Sequence, residues 1–213
     1  MDWLFEAGWN LRTQWFKYLT SKAEPGGIVF AGDSLTQEFP IHEILALNKD
    51  TMLFDIHNRG IGGDTTSGLI RRINESIIDL NPSKLFLLIG TNDISYLEDD
   101  FTSIYEGISN IIDRTLAACS KTEIFLISLY PVNAAAEGMD LNCIGKRSNA
   151  KIDLINGQLK KIAAAKDIGF IDMNCLLKDE EGNLRLEYTR EGLHISPLGY
   201  EVIMAEIMKY IKE

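Results

Sequence analysis

Four short strings in this chain carry residues whose types and spacing could do chemistry. The first is Gly32-Asp33-Ser34-Leu35-Thr36. It follows the apolar run Ile28 to Ala31, which reads as a buried strand. Gly32 breaks the run and delivers Ser34 to the strand's carboxyl end, where open α/β sheets bind ligands. A serine on a tight strand-to-helix turn exposes its hydroxyl beside unpaired backbone N–H groups, the setting that acyl transfer asks of a nucleophile. The string is not a Gly-x-Ser-x-Gly elbow, because Thr36 stands where the second glycine would be. Taken alone, it also fits a helix cap built on Asp33 or Ser34.

The second string is Asn58-Arg59-Gly60-Ile61-Gly62-Gly63-Asp64-Thr65-Thr66. Its glycines let backbone approach a ligand closely, and Asp64 or Thr65 would cap the following helix. A phosphate-binding nest or a plain turn would look the same. A P-loop is excluded, since no Gly-Lys-Ser/Thr follows. The third string is Gly90-Thr91-Asn92-Asp93. An asparagine there can close a turn on its own backbone, or its amide can donate to an oxyanion. The fourth is Glu191-Gly192-Leu193-His194. Side chains three residues apart meet on one turn, so a carboxylate can hold one imidazole nitrogen and leave the other free as a base. His42 and His57 read as structural histidines.

The elements around these strings must place them together. Strands are expected at Ile28–Gly32, 52–57, 84–90, 123–129 and 169–173, with helical patterns between them. Leu69, Ile73 and Ile77 share one helical face; so do Ile104, Ile108 and Ile111, then Ile152, Ile155, Leu159 and Ile162. Ser196-Pro197 marks an N-cap with proline at the first helical position, opening a helix that buries Ile203, Ile207 and Ile211. Residues 3–20 place Leu4, Ala7, Leu11, Trp15 and Leu19 at helical spacing, with Trp3, Trp9 and Phe16 broadening that face, which predicts a docked helix within residues 1–23, ended by Pro25-Gly26-Gly27. Alternating strands and helices imply a parallel sheet covered on both faces, a flavodoxin-like three-layer α/β/α sandwich. Residues 131–147 form a long segment at the same sheet edge as Ser34; Ala134, Ala135, Ala136 and Met139 are its candidates for lining a pocket.

Composition narrows the function classes. The 213 residues are 46% hydrophobic, enough to bury one full core, so a single domain over 1–213 is expected. A formal net charge of -10 disfavours nucleic acid, anionic membranes and polyanionic substrates. Cys119, Cys143 and Cys175 have no metal-ligand spacing and read as free thiols in a reducing compartment. The N-terminus lacks the basic start and continuous apolar stretch of a signal peptide, and no run reaches membrane-spanning length. The expectation is a cytoplasmic chain.

The four strings, in this order, resemble those of the SGNH hydrolases, the Gly-Asp-Ser-Leu lipase/esterase superfamily. The string at 58–66 is most similar to its platelet-activating-factor acetylhydrolase-like and lysophospholipase/acyl-esterase branch. The resemblance implies a mostly parallel five-stranded sheet, Ser34 as nucleophile and His194 as general base. It implies an oxyanion hole of the Ser34 N–H, the Gly60 N–H and the Asn92 side chain. The family usually carries Asp three residues before the histidine, where this chain has Glu191. Two arrangements are open: a Ser34–His194–Glu191 triad, or a solvent-facing Glu191 with a backbone carbonyl orienting His194. Asp33 is expected to brace the turn.

The implied activity is a serine esterase cleaving short acyl groups, acetyl first among them, from a small neutral carrier, with no metal or organic cofactor. The rivals are a lysophospholipase or thioesterase acting on long chains, a binding module that recognises acylated ligands without turnover, and a nucleotide or flavin binder using the 60–66 loop. The expected partner is a small-molecule ester, with no nucleic acid and no membrane span; oligomeric state is left open.

Overall fold

Buried parallel strands are short apolar runs, and four of the five strands begin where such a run begins. The computed structural model describes residues 3–47 and 54–212. The strands are β1 (Ile28–Gly32), β2 (Ile56–Gly60), β3 (Lys84–Leu88), β4 (Glu123–Ile127) and β5 (Gly169–Ile171). They form one sheet in the order β2-β1-β3-β4-β5, and every pairing is parallel. Helices cover both faces, giving the three-layer α/β/α sandwich. They are α1 (Trp3–Thr20), α2 (Ser34–Gln37), α3 (Ile41–Leu47), α4 (Thr66–Arg71), α5 (Ile73–Ser76), α6 (Thr102–Ala118), α7 (Leu141–Ile144), α8 (Asn149–Ala165), α9 (Met173–Leu177) and α10 (Pro197–Ile211). None of the described helices is long and apolar enough to cross a membrane.

Register places the site. Gly32 pairs with Gly60 on one side and Leu88 on the other, so β1, β2 and β3 end at one level. The chain leaves β1 for β2 and then crosses to β3 on β1's other flank. Ser34 therefore stands at the point where strand order reverses, the crevice position of open α/β sheets. The same register stacks Phe30 on Phe86 at 4.7 Å and Phe86 on Phe125 at 5.1 Å, an aromatic rung across three strands. Phe39 extends it by an edge contact to Phe30, and Tyr200 of α10 stacks on Phe39 at 4.9 Å.

Three expectations need correcting. The second strand is not 52–57: Met52 and Leu53 lie outside the described residues, and pairing runs from Ile56 to Gly60. Its polar residues disguise it. Asn58 donates to the carbonyls of Thr36 and Phe39, while the buried Arg59 guanidinium lies 5.1 Å over Phe16 and reaches Thr20 Oγ1. The expected helix through Leu69, Ile73 and Ile77 is two short helices, broken at Arg72, though all three apolar residues are buried.

The third correction concerns α1. Leu11 and Trp15, on the face expected to dock, are 52% and 57% exposed, and Leu4 and Leu19 are also exposed. Of the residues expected to broaden that face, Trp9 and Phe16 are buried, with Phe5 packed against them, while Trp3 is exposed. Both faces are apolar at helical spacing, so periodicity alone cannot choose between them. The body chooses, through cations and acceptors. Arg71 covers the Trp9 ring at 4.4 Å, and Trp9 Nε1 donates to Asp64 Oδ1 at 3.1 Å. Arg12 donates to the Gly60 carbonyl at 2.9 Å, and Thr20 Oγ1 to the Glu75 carbonyl. An aromatic ring under a guanidinium gains electrostatic attraction that a leucine cannot offer.

Candidate active site

The turn after β1 is built to present Ser34. Asp33 caps α2, its Oδ1 accepting from the Leu35 N–H at 3.0 Å. Ser34 is the first residue of the helix, where an N–H has no intrahelical acceptor. Close packing below demands small residues: a Cβ on Gly32 would lie 2.2 Å from the Leu88 carbonyl oxygen, and one on Gly60 2.2 Å from the Gln37 nitrogen.

The loop before α10 brings the other partners. His194 Nε2 lies 3.1 Å from Ser34 Oγ. On the far side of the ring, Nδ1 lies 2.6 Å from Glu191 Oε1, which also accepts from the His194 backbone N–H at 2.9 Å. Arg190 Nε donates to the second carboxylate oxygen. Glu191 therefore faces the imidazole and not solvent, and no backbone carbonyl takes its place. Burial alone would raise its carboxyl, but the bonds from the His194 N–H, Arg190 and the imidazole outweigh that and hold it below the usual range. Thr189 Oγ1 pins the loop by donating to the His194 carbonyl and accepting from Gly192 N–H.

Asn92 follows β3. Its Nδ2 donates to the Asp64 carbonyl at 2.9 Å, and its Oδ1 accepts from Arg147 Nη2 at 2.8 Å. The acceptor end of the amide is thus occupied by a cation, and among the described residues nothing takes the second amide hydrogen.

Gly60 does not fit the donor role expected of it. Its N–H already donates to Asn58 Oδ1 at 3.0 Å, and its packing against Gln37 explains the glycine. Gly62 comes up to the serine instead. A Cβ at Gly62 would lie 3.9 Å from Ser34 Cβ. The Gly62 N–H is taken by Gln37 Oε1, whereas the Gly63 N–H, at φ +74°, meets no acceptor among the described residues.

Residues 30–202 match the GDSL-like Lipase/Acylhydrolase family. The chain belongs to this family. A protein from Streptococcus pneumonia, provisionally described as a platelet activating factor, superposes with a TM-score of 0.87 at 30% identity, over 97% of this chain and 94% of that one. An acylhydrolase from Bacteroides fragilis, so described provisionally, gives 0.79 at 24% identity over 100% of this chain and 98% of that one, and so shares the fold. In sequence, the N-acylneuraminate cytidylyltransferase of Escherichia coli is 29% identical over 163 residues, 74% of this chain and 35% of that protein. The chain thus spans about a third of the length of the curated relative it matches.

Within this GDSL-like domain, three participants escape sequence reasoning. Arg72 is fully buried and donates to Asp64 Oδ2 at 2.7 Å, and to Arg59 O, Gly32 O and Ser76 Oγ. It ties the loop beside Ser34 to the ends of β1 and β2. Arg147 reaches from the end of the 131–147 loop to Thr91 O and Asn92. Cys143, in α7 of the same loop, places its Sγ 3.7 Å from Glu191 Oε1 and 3.9 Å from His194 Nδ1. Side chains whose partners are tens of residues away leave no local pattern. For the capping pair, Thr65 caps α4, while Asp64 is spent on Arg72 and Trp9. Asp93 accepts from the Thr66 N–H and hydroxyl.

Asp33 is wholly buried, and its Oδ2 has no partner among the described residues. Burial pushes its carboxyl up to about 7, with Asp64 and Asp93 adding to the shift and the Leu35 N–H and Arg147 opposing it. In the unfolded chain it ionises near 4. Below that pH it is neutral in both states and costs nothing. From about pH 4 to about pH 7 only the unfolded state ionises, so stability falls, by at most about 4 kcal/mol once the folded pKa is passed. Asp33→Asn keeps an oxygen acceptor for Leu35 and removes the ionisation. Urea melts should show the variant gaining stability over the wild type at about pH 8, with the gain gone near pH 4. A loss at pH 8 would mean that the fold requires the anion.

Proposed function

We propose that this chain is a serine esterase that removes short acyl groups, acetyl first among them, from hydroxyls of a small carbohydrate-like carrier. The observation that carries the reading is the Ser34–His194–Glu191 chain of contacts, at 3.1 and 2.6 Å. Ser34 Oγ attacks the ester carbonyl as its proton passes to His194 Nε2, and Glu191 stabilises the imidazolium that forms. The oxyanion is met by the Ser34 N–H, the free hydrogen of Asn92 Nδ2 and the Gly63 N–H, which replaces Gly60 in that role. The imidazolium returns its proton to the leaving alkoxide, and water repeats the sequence on the acyl-enzyme.

One observation favours a carbohydrate carrier, and a neighbouring cleft has room for a small ligand of any class. The Escherichia coli relative is named for an acylneuraminate, a sugar that bears an acyl group. Beside the His194 loop, a cleft of about 560 Å³ is lined by Glu38, Pro40, Arg190, Ile195, Ser196, Pro197 and Tyr200. It mixes an apolar floor with a few polar groups, the lining expected of a small-ligand site.

A fluorescent organophosphonate tests the nucleophile. It should label the wild type once, at Ser34, and leave Ser34→Ala unlabelled; a label on any other residue removes Ser34 from the role. A panel of p-nitrophenyl esters of rising chain length, followed by acetylated sugars, tests the acyl group. Rates should fall as the chain lengthens, and a rise would favour the long-chain lysophospholipase or thioesterase reading.

A further inference from the structure

Cys143 has no part in the ester chemistry, yet its thiol touches the Glu191–His194 contact on the side of the ring away from Ser34. Its Sγ, Glu191 Oε1 and His194 Nδ1 lie within 4.8 Å of one another, and all three residues are partly exposed. We propose that these atoms form an inhibitory site for a thiophilic divalent cation, with Zn2+ as the type case, and that its occupation switches off His194 as a base. The inference rests on the esterase reading of the triad for its consequence, but not for the binding itself.

The donor set is the first argument. Thiolate, imidazole and carboxylate together select zinc-like ions over Mg2+ or Ca2+, which prefer oxygen ligands. The geometry is the second. Zinc bonds of about 2.0–2.3 Å, tetrahedrally arranged, set ligand atoms roughly 3.3–3.6 Å apart. The observed Sγ–Oε1 and Sγ–Nδ1 separations are 3.7 and 3.9 Å. Only the Nδ1–Oε1 edge, at 2.6 Å, has to open, and it opens as the cation replaces the proton between those atoms. The backbone is the third. Asp140 caps α7 through the Asn142 and Cys143 N–H groups, and its own N–H donates to the Glu191 carbonyl at 2.9 Å. The loop that carries Cys143 is therefore fastened to the segment that carries the other two ligands.

The proton balance explains the inhibition. In the resting state Nδ1 carries its hydrogen toward Glu191 and Nε2 faces Ser34 with a lone pair. A cation on Nδ1 needs a lone pair there, so the ring's proton moves from Nδ1 to Nε2, and the Cys143 thiol loses its proton to solvent. Nε2 then holds a hydrogen and cannot accept one from Ser34. About one proton is released for each cation bound.

The test uses the intact protein with a phosphine reductant that does not chelate metal. Co2+ reports on the sulfur ligand through its thiolate charge-transfer absorption. Wild type and Ser34→Ala should each bind one Co2+ with that band, and Cys143→Ser should show none. Zn2+ should inhibit p-nitrophenyl acetate hydrolysis by the wild type, reversibly on adding a chelator. With each protein scaled to its own metal-free rate, Cys143→Ser should need at least about tenfold more Zn2+ for the same inhibition. Calorimetry in buffers of different ionisation enthalpy should count the released proton. No band in the wild type, or equal Zn2+ sensitivity of Cys143→Ser, overturns the site. A band without inhibition overturns the switch. A chain that hydrolyses no ester overturns the esterase reading alone, because the cobalt band and the proton count still decide whether the cation binds.

Discussion

Glu191→Gln is expected to lower kcat on a short-chain ester by about 10⁴-fold while the fold persists. The carboxylate does two things at once: Oε1 accepts from Nδ1 and from the His194 N–H. A glutamine can mimic one of these bonds, but it brings no charge to the imidazolium. If its NH2 group turns toward Nδ1, the ring takes the wrong tautomer and presents a hydrogen to Ser34. Glu191→Asp should lose much less, since it restores the residue the family usually carries and keeps the charge. The contrast between the two variants separates charge from geometry. The measurement is kcat/KM at pH 8. A loss of less than about tenfold in the Gln variant, about 1.4 kcal/mol of transition-state stabilisation, would remove Glu191 from the triad.

Asn92→Ala should cost about 10²–10³ in kcat with little change in KM, the usual loss for one oxyanion donor. The residue is well prepared for that role. Arg147 holds its Oδ1 and the Asp64 carbonyl holds one amide hydrogen, so the other points where those two bonds leave it. No reorganisation is then needed when charge develops on the substrate oxygen, and the nearby guanidinium raises the amide's donor strength. Were Asn92 only a turn residue, kcat would stay within a few-fold of the wild type in a variant that still melts cooperatively. Circular dichroism and a phosphonate labelling rate, taken on one sample, distinguish a damaged fold from a lost donor.

The chain's own residues show why some of this was legible and some was not. β1, β3, β4 and β5 start at the predicted residues because a strand buried on both faces must be an apolar run. β2 was displaced because His57, Asn58 and Arg59 look like a loop until α1 and α2 supply their partners. The centre of the α1 face is not legible because its two apolar stripes have the same period, and only partners on the body, Arg71 over the Trp9 ring and Asp64 accepting from Trp9 Nε1, distinguish them. The site shows the same division. Ser34, Asn92, Glu191 and His194 stand in short strings of recognisable residue order, but only the Glu191–His194 contact lies within one turn; Ser34 meets His194, and Asn92 meets Asp64 and Arg147, across the fold. Which of several glycines has a free N–H depends on where Asn58 and Gln37 point, and no spacing rule carries that.

The contact between Ser34 and His194 joins residues 160 positions apart in the chain. While the ribosome is still adding β5, the segment already released holds the serine and its turn but no base. Ser34 has no imidazole partner until residue 194 has been added and its loop has docked. At roughly 5–20 residues per second that interval lasts on the order of ten seconds or more. The return of hydrolysis after dilution from denaturant should likewise report the last docking event, and not the earlier closure of the sheet.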